Sequence, residues 1–284
     1  MRIGVNLPYH ALSDDTDLYA EYATRAEALG FTHLVALDHV MGPVHADRDP
    51  PLEGPYTEQT LFREPFVLLA WLGALTTSLE LTTGVIVLPQ RQTVLAAKQA
   101  AELQMLTKGR LRLGVGSGWN YVEYESLDVP YRGRGARLNE QIDVLRQLWT
   151  GDVLDLRGQF HRIDRASMIP APPDIPIWFG GFSRAQQDRC AAKGDGFLFT
   201  KFSSLSVSAI GTIRQGAAER GRDPDRLGFE AGFATGNDLP SDIDRWAAAG
   251  GTHAYVRVEG VGAEALAELE RLAAQLGSRL TGST

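Results

Sequence analysis

The chain has 284 residues, of which 44% are hydrophobic and 22% are charged, and its formal net charge is -7. This composition is typical of a folded globular protein with a sizeable core, and it excludes a disordered or a fibrous chain. Because the balance is acidic and no run of Lys or Arg occurs, binding to nucleic acid or to an anionic membrane is not expected.

Short β-rich runs alternate with longer segments of helical spacing from the first residues onward. The first run, IGVNLP, precedes a helix that carries Leu18, Tyr22, Ala26 and Leu29 at spacings of three and four and that ends at Gly30. The strands that follow are predicted over 33–39, 79–89, 109–116, 175–181, 194–200, 227–233 and 252–258. The helices between and after them are predicted over about 62–78, 93–106, 137–151, 183–193, 204–220, 240–249 and 263–277.

Eight strand–helix units in one chain favour a closed (β/α)8 barrel, the TIM barrel, over an open sheet. We expect a single domain over residues 1–284 with two insertions, a loop at 42–60 after the second strand and a segment at 152–175 before the fifth. The second insertion is predicted to form a β-hairpin that turns near Arg157 and Gly158.

The fourth predicted strand runs into the glycine-rich stretch LRLGVGSGWN. A dinucleotide-binding turn requires G-x-G-x-x-G and then an acidic residue, but Trp119 replaces the third glycine and RGRGAR stands where the acid is needed. A nucleophile elbow requires glycine two residues to each side of the serine, but Ser117 has Val115 and Trp119 there. What remains is a glycine-lined loop at the carboxyl end of a barrel strand, where barrel enzymes bind ligands.

Several stretches occur in the order and spacing of a known family. They are ALGFTHLVALDHV, LELTTGVIVLPQRQTVLAAKQAAELQMLTKGRLRLGVGSGWN, VPYRGRGARLNEQIDVLRQLWTG, PIWFGG and GDGF. With these motifs the chain resembles the bacterial luciferase-like flavin-dependent oxidoreductases, and within them the actinobacterial branch that depends on the deazaflavin coenzyme F-420. The resemblance covers residues 1 to about 200, and beyond them only the rhythm of strands and helices agrees.

The resemblance implies a (β/α)8 barrel that binds F-420, or alternatively FMN, in the cleft at the carboxyl ends of the strands. A hydride then passes between the coenzyme and a small-molecule substrate. The resemblance also implies a homodimer formed through barrel helices. A separate flavin or deazaflavin reductase is a further possible partner, above all for an FMN-dependent enzyme.

The end of the second strand supplies the first site residues that the resemblance implies. His39 is expected near the reactive ring edge as a catalytic proton donor or hydrogen-bond partner, a role that suits an imidazole at neutral pH. Asp38 is expected to contact the cofactor. In TTGVIVLP, related enzymes place a non-prolyl cis peptide behind the cofactor ring, and the matching bond joins Gly84 and Val85.

The GSGW stretch supplies Ser117 and Gly118 to the cofactor by the same resemblance. The deazaflavin-dependent sugar-phosphate and alcohol dehydrogenases of the family carry a catalytic glutamate where this chain has Trp119. This departure argues against those substrates and leaves the general base unassigned. Trp119 is a candidate for the wall of the substrate pocket, with plain core packing as the alternative.

An anion site is expected where the fifth strand ends. Gly180 and Gly181 close this strand, and Ser183 and Arg184 open the next helix. Free backbone amides, a hydroxyl and a guanidinium at one helix N-terminus suit a cofactor phosphate. Lys201, which follows the sixth strand, is a candidate contact for the phosphate or for an anionic substrate, with a plain surface lysine as the alternative.

Other chemistries find little support in the sequence. The six histidines and single cysteine show no metal-binding spacing, so no metal is expected. The paired acids of a glycosidase would lie at strand ends, but Glu230 lies inside its strand and leaves only Asp38. Because no leader or bilayer-spanning stretch is evident and Cys190 has no partner for a disulfide, we expect a cytoplasmic protein.

Three functions stay open at this point. The leading hypothesis is an oxidoreductase that transfers a hydride with F-420, and the alternative is an FMN-dependent monooxygenase on the same scaffold. The third is a non-catalytic flavin-binding protein that keeps the barrel without the chemistry. The substrate is not predicted, because the loops at 42–60, 120–135 and 152–175 match no specific pattern.

Overall fold

The computed structural model describes residues 1–281. The strands of this part are β1 (Arg2–Asn6), β2 (His33–Ala36), β3 (Glu80–Thr83), β4 (Ile86–Val87), β5 (Leu111–Gly116), β6 (Leu154–Arg157), β7 (Arg162–Ala166), β8 (Ile177–Gly180), β9 (Gly196–Phe199), β10 (Gly228–Phe233) and β11 (His253–Val256). The α-helices are α1 (Tyr9–Leu12), α2 (Thr16–Ala28), α3 (Pro65–Leu75), α4 (Thr93–Leu106), α5 (Tyr121–Ser126), α6 (Arg134–Leu148), α7 (Arg184–Lys193), α8 (Ser204–Ala218), α9 (Leu239–Ala248), α10 (Ala263–Leu276) and α11 (Ser278–Thr281). Within residues 1–281, no helix is both long and apolar enough to cross a membrane.

The strands other than β6 and β7 form one parallel sheet that closes on itself. Its order is β3, β2, β1, β11, β10, β9, β8 and β5, and β5 pairs again with β3 to complete the ring. β4 continues the line of β3 and pairs with the last residues of β5. The predicted (β/α)8 barrel is therefore confirmed, with β3 and β4 sharing the third position.

Local sequence explains why these elements form. β2, β8 and β9 are buried at every position, as expected for strands covered on both faces. α10 buries Ala265, Leu269, Leu272 and Leu276, which lie three or four residues apart on one face. α2 begins at a capping residue, since the Asp15 carboxylate accepts hydrogen bonds from two backbone amides of the first turn.

Several elements differ from the predictions. The third strand is interrupted at Gly84–Val85, where the peptide bond is cis as the resemblance implied, and its end forms a 3-10 turn instead. α3 begins at Pro65 rather than at residue 62, because Glu64 caps it and proline favours the first helical turn. α5 occupies part of a segment that the sequence predicted as loop.

The insertion between α6 and β8 contains the predicted hairpin. β6 and β7 pair antiparallel, and the turn follows Arg157. The Gly158 amide donates to the His161 carbonyl oxygen at 2.8 Å. Glu140 of α6 accepts hydrogen bonds from the backbone amides of residues 159–161 and so fastens the turn to the barrel.

A buried ion cluster fills the amino-terminal half of the barrel interior. Arg112 lies 2.7 Å from a Glu230 oxygen and 2.5 Å from a Glu80 oxygen. Burial opposes ionisation of both acids, but Arg112 and His33 hold the pKa of Glu230 well below its usual range and lower the pKa of Glu80 to about 2. Burial and the charge of Arg112 lower the pKa of His253 to about 2. Because the strands carry their ligand sites at the opposite end, we assign this cluster to the core.

Candidate functional site

A cavity of about 440 Å³ opens at the carboxyl ends of the barrel strands. The strand ends and the loops that follow them supply its walls, as in other barrels. The residues expected at the site that line it are Asp38, His39, Gly84, Val85, Ser117, Gly118, Trp119, Gly180, Gly181 and Ser183. Arg184 and Lys201 do not belong to this lining, whereas Arg134 and Gln186, which the sequence did not single out, do.

Asp38 is buried at the cavity wall, with 3% of its surface exposed. One carboxylate oxygen accepts a hydrogen bond from the Val87 amide at 2.8 Å, and the other accepts one from Arg91 at 2.7 Å. Arg91 also reaches Glu64 at 2.9 Å. The carboxylate of Asp38 therefore joins the end of β2 to β4, with a protein donor on each oxygen.

The floor of the cavity is built around Val85. A Cβ atom on Gly116 would lie 2.6 Å from one Val85 methyl group, and a Cβ on Gly180 would lie 2.5 Å from the other. These contacts are too short for any side chain, so both positions require glycine. The absent side chains leave room for Val85, whose methyl groups lie against the backbone at the ends of β5 and β8 and form part of the cavity floor.

Hydrogen bonds to Ser117 and Gly118 hold the loop after β5 in place. Gly118 has a φ of 64°, in the left-handed region that favours glycine. The Ser117 carbonyl accepts from the Tyr124 hydroxyl at 2.7 Å, and the Ser117 hydroxyl accepts from Gln186 at 3.3 Å. The Gly118 carbonyl accepts from Arg134 at 3.3 Å. Helices α5, α6 and α7 thus all fix the shape of this loop.

The N-terminus of α7 faces the cavity and carries Ser183 as its cap. The Ser183 hydroxyl accepts a hydrogen bond from the Gln186 amide at 3.4 Å. Arg184, in contrast, is exposed and pairs with Asp188 on the same helix at 3.0 Å. The guanidinium that lines the cavity instead belongs to Arg134, which comes from the start of α6.

Arg134 lies over the ring of Tyr131, with 3.8 Å between its guanidinium carbon and the ring centre. Within residues 1–281 it forms no ion pair, so its positive charge is not neutralised by a carboxylate. A second arginine, Arg189, lies nearby, and burial together with the charge of Arg134 lowers the pKa of Arg189. An uncompensated positive region of this kind attracts anions.

His39 stands at the opposite wall in an aromatic cluster. Its ring centre lies 4.9 Å from those of Tyr56 and Phe62 and 5.7 Å from that of Trp119. Its Nδ1 lies 2.9 Å from the carboxylate of Glu123 on α5. Glu123 is not among the residues predicted from the sequence, where its only signal is an acid one helical turn after Trp119.

Trp119 is part of the cavity wall and is clamped by the loop that precedes α3. A Cβ on Gly54 would lie 2.2 Å from the indole ring, so the backbone of this loop rests directly on Trp119. The Trp119 carbonyl accepts from the Tyr131 hydroxyl at 3.1 Å. The indole thus separates the cavity from the loop, and it offers an apolar face where a glutamate would offer a charge.

Lys201 lies outside the main cavity. Its side chain is exposed, and it lines a neighbouring surface cavity with Arg257, Asp238 and Asp242. Among residues 1–281, no group of three or more His, Cys, Asp or Glu side chains is placed to hold a metal ion. Cys190 is buried, and burial raises the pKa of its thiol to about 12.

Comparison with known sequences decides the family. The sequence model of the luciferase-like monooxygenase family matches residues 1–276. The chain belongs to the luciferase-like monooxygenase family. Its match to this family covers the barrel from β1 to the end of α10, and it confirms the resemblance found in the motifs.

Relatives of this luciferase-like protein occur in actinobacteria. An uncharacterized protein of Mycobacterium tuberculosis is 37% identical over 195 residues, which are 67% of each chain. The F-420-dependent hydroxymycolic acid dehydrogenase of the same organism is 30% identical over 223 residues, 76% of this chain and 58% of that enzyme. The F-420-dependent glucose-6-phosphate dehydrogenase of Nakamurella multipartita is 28% identical over 274 residues, 90% of this chain and 75% of that enzyme.

Solved structures of low sequence identity share the fold of this luciferase-like protein. An F-420-dependent secondary alcohol dehydrogenase, bound to an F-420–acetone adduct, superimposes with a TM-score of 0.80 at 15% identity, covering 97% of this chain and 99% of the other. The monooxygenase RslO1 from Streptomyces bottropensis superimposes with a TM-score of 0.78 at 18% identity, covering 97% and 98%. Both agree with the barrel described above.

Proposed function

We propose that this protein uses coenzyme F-420 to move a hydride to or from a small organic substrate. The observation that carries the proposal is a single cavity that combines His39 on one wall with the uncompensated Arg134 and the Ser183 helix cap on the other. Relatives with F-420 dependence in their names are 28% to 30% identical to this chain, which supports the same coenzyme here.

The cavity has the chemistry to hold a coenzyme of this class. Val85, seated between Gly116 and Gly180, gives a small apolar surface on which a flat ring would lie, and the same lining carries the donors that suit a phosphate. Arg134 and Ser183 would hold the anionic end. Arg184, which the sequence predicted here, would serve this end only after leaving its partner on α7.

Bound F-420 supplies a two-electron hydride acceptor or donor. The chain supplies the accompanying proton transfer through His39, because an imidazole exchanges protons near neutral pH. When an alcohol is oxidised to a carbonyl compound, the imidazole takes the proton that the hydroxyl loses, and in the reverse direction it returns that proton to the oxygen. Of the described lining residues, Asp38 is the one carboxylate, and both its oxygens are engaged. Trp119 has no proton-accepting group and cannot act as the general base. We therefore propose His39 for that role.

The wall around His39 favours an uncharged, largely apolar substrate. Tyr56, Phe62 and Trp119 surround the imidazole with aromatic rings. Phe182, which is 76% exposed, extends the apolar lining to the rim of the cavity. We therefore propose small alcohols or ketones with apolar substituents as the first compounds to test.

The test is a turnover assay with purified protein, F-420 and a panel of secondary alcohols, followed by the loss of the oxidised coenzyme's absorbance. His39→Ala is expected to lower turnover by roughly 10²- to 10⁴-fold with coenzyme affinity nearly unchanged. His10→Ala, at an exposed histidine outside the cavity, is the control and should behave as wild type. Equal turnover of the His39→Ala variant and wild type would refute the role of His39.

We also propose that the protein forms a homodimer through α3 and α4. These two helices pack side by side, and both expose large apolar side chains. The exposed members are Val67, Trp71, Leu75, Val94, Leu95 and Leu106. Large apolar side chains exposed together on two neighbouring helices fit a self-complementary interface between two copies.

Light scattering coupled to size-exclusion chromatography tests the dimer. Wild type is expected at twice the mass of the chain, and the double variant Val67→Glu with Leu95→Glu is expected at the mass of one chain. Val153→Glu is a matched control, because Val153 is 69% exposed but lies outside both helices. A monomeric wild type, or a dimeric double variant, would contradict this interface.

A further inference from the structure

We propose that Glu123 is a positioning residue that fixes both the orientation and the tautomer of His39. The inference rests on the proposed function of His39, but the contacts that carry it do not involve the coenzyme. Glu123 is a buried carboxylate, 1% exposed, on a helix of six residues that the sequence did not predict.

The two carboxylate oxygens of Glu123 have different hydrogen-bond partners. Oε1 accepts hydrogen bonds from the backbone amides of Val40 and Met41, at 2.6 and 3.2 Å. Oε2 lies 2.9 Å from Nδ1 of His39. The carboxylate therefore binds three consecutive residues, 39–41, near the start of the loop that follows β2, and its hydrogen bond to the imidazole is made at Nδ1.

The helix that carries Glu123, α5, is bonded both to the loop after β2 and to the loop after β5. Asn120 caps α5 by accepting from the Val122 amide at 3.1 Å, and its side-chain amide donates to the Met41 carbonyl at 3.4 Å. The Tyr124 hydroxyl donates to the Ser117 carbonyl at 2.7 Å. The position of His39 is thus tied to the loop after β5, which forms the facing part of the cavity.

The hydrogen bond decides which ring nitrogen carries the hydrogen. An ionised carboxylate has only acceptor atoms, so Nδ1 of His39 must donate to Glu123. In the neutral ring this leaves Nε2 with a lone pair, and within residues 1–281 no group hydrogen-bonds to Nε2. His39 is therefore prepared to take a proton from a substrate hydroxyl, and Glu123 faces the positive charge that the ring then gains.

Glu123→Gln gives a sharp test because the side chain keeps its shape, but the direction of its hydrogen bond with Nδ1 of His39 is reversed. The glutamine oxygen keeps the two backbone amides as donors, so its NH2 group turns toward Nδ1. Nδ1 must then accept, and the ring hydrogen moves to Nε2. A wrong tautomer of this kind disables a catalytic histidine even when the geometry is intact.

Nitrogen NMR of protein labelled at histidine, recorded without coenzyme at a pH where the His39 ring is neutral, reads the tautomer directly. The His39 signal is identified by its absence from His39→Gln. Wild type is expected to show a protonated Nδ1 and a bare Nε2, and Glu123→Gln the reverse. Glu125→Gln, at an exposed acid on the same helix, is the control and should match wild type.

In turnover assays Glu123→Gln is expected to lower kcat by roughly 10²- to 10⁴-fold. KM and the Kd for F-420 should stay within a few-fold of wild type, since neither the anion site nor the cavity floor changes. If the neutral His39 ring of wild type carries its hydrogen on Nε2, the inference is wrong. It is also wrong if the His39 tautomer is the same in Glu123→Gln as in wild type. Failure to bind F-420 would refute the proposed function and leave the tautomer result standing.

Discussion

Replacement of Arg112 should destabilise the fold more than the loss of an exposed ion pair does. Arg112 is 2% exposed, and its guanidinium contacts Glu230 at 2.7 and 3.3 Å and Glu80 at 2.5 Å. It also lies over the ring of Trp178 at 4.2 Å. In Arg112→Met the apolar stem is largely kept, but Glu230, which is fully buried, loses its main counter-charge.

The magnitude follows from leaving a buried carboxylate without its partner. Breaking a buried pair in this way costs about 3–5 kcal/mol, because the remaining charge is desolvated and uncompensated. His33 stays within 2.5 Å of Glu230, which places the expected loss near the lower end of that range, about 3 kcal/mol. A loss of this size is a large part of the free energy of unfolding of an ordinary domain.

Urea unfolding followed by circular dichroism measures this loss. Arg25→Met is a matched control, since Arg25 pairs with Glu21 and Glu270 on the surface with about 42% of its side chain exposed. That variant is expected to lose less than about 1 kcal/mol. If Arg112→Met were no more destabilised than Arg25→Met, the buried cluster would not have the role in stability assigned to it.

Three further predictions concern acid stability, the anion site and the cavity wall. Because His253 has a pKa of about 2 when folded and regains its ordinary value when unfolded, its contribution to the free energy of unfolding should fall by about 1.4 kcal/mol per pH unit from about pH 6.5 down to about pH 2, as measured by urea titrations at several pH values. Arg134→Met should weaken coenzyme binding about tenfold or more, and Arg184→Met, whose guanidinium is exposed and paired, should weaken it less; equal losses in a fluorescence titration would contradict this assignment. Gly54→Ala would place a methyl group 2.2 Å from Trp119, so urea unfolding should show a loss of about 1–3 kcal/mol and amide exchange of the loop should rise, whereas a wild-type profile would refute the clamp.

The barrel and most of the cavity lining could be predicted from the sequence for one physical reason. In parallel strands the apolar run marks the buried segment, and the polar or glycine residues that follow it mark the end that faces the ligand. This rule places His39, Gly118 and Gly180 at the cavity before any coordinates are known, and the structure brings all three to its lining. The resemblance added the cis bond at Gly84–Val85, which periodicity does not indicate.

What the sequence could not supply are contacts between residues far apart in the chain. Glu123 meets His39 across 84 positions, and its helix of six residues is too short for a periodic signal. Arg134 and Arg184 look alike as arginines near glycines, but packing decides which one faces the cavity. Arg184 finds an acid one helical turn away and turns outward, whereas Arg134 stacks on Tyr131 and stays at the lining.

The proposed function requires that the cavity at the carboxyl ends of the strands binds coenzyme F-420. Equilibrium titration of the purified protein with F-420 and, in parallel, with FMN tests it most directly, with absorbance and fluorescence as readouts. We expect saturable binding of F-420 at one site per chain, weakened by Arg134→Met, and clearly weaker binding of FMN. Tighter binding of FMN than of F-420, or F-420 binding that does not change in the Arg134→Met protein, would contradict it.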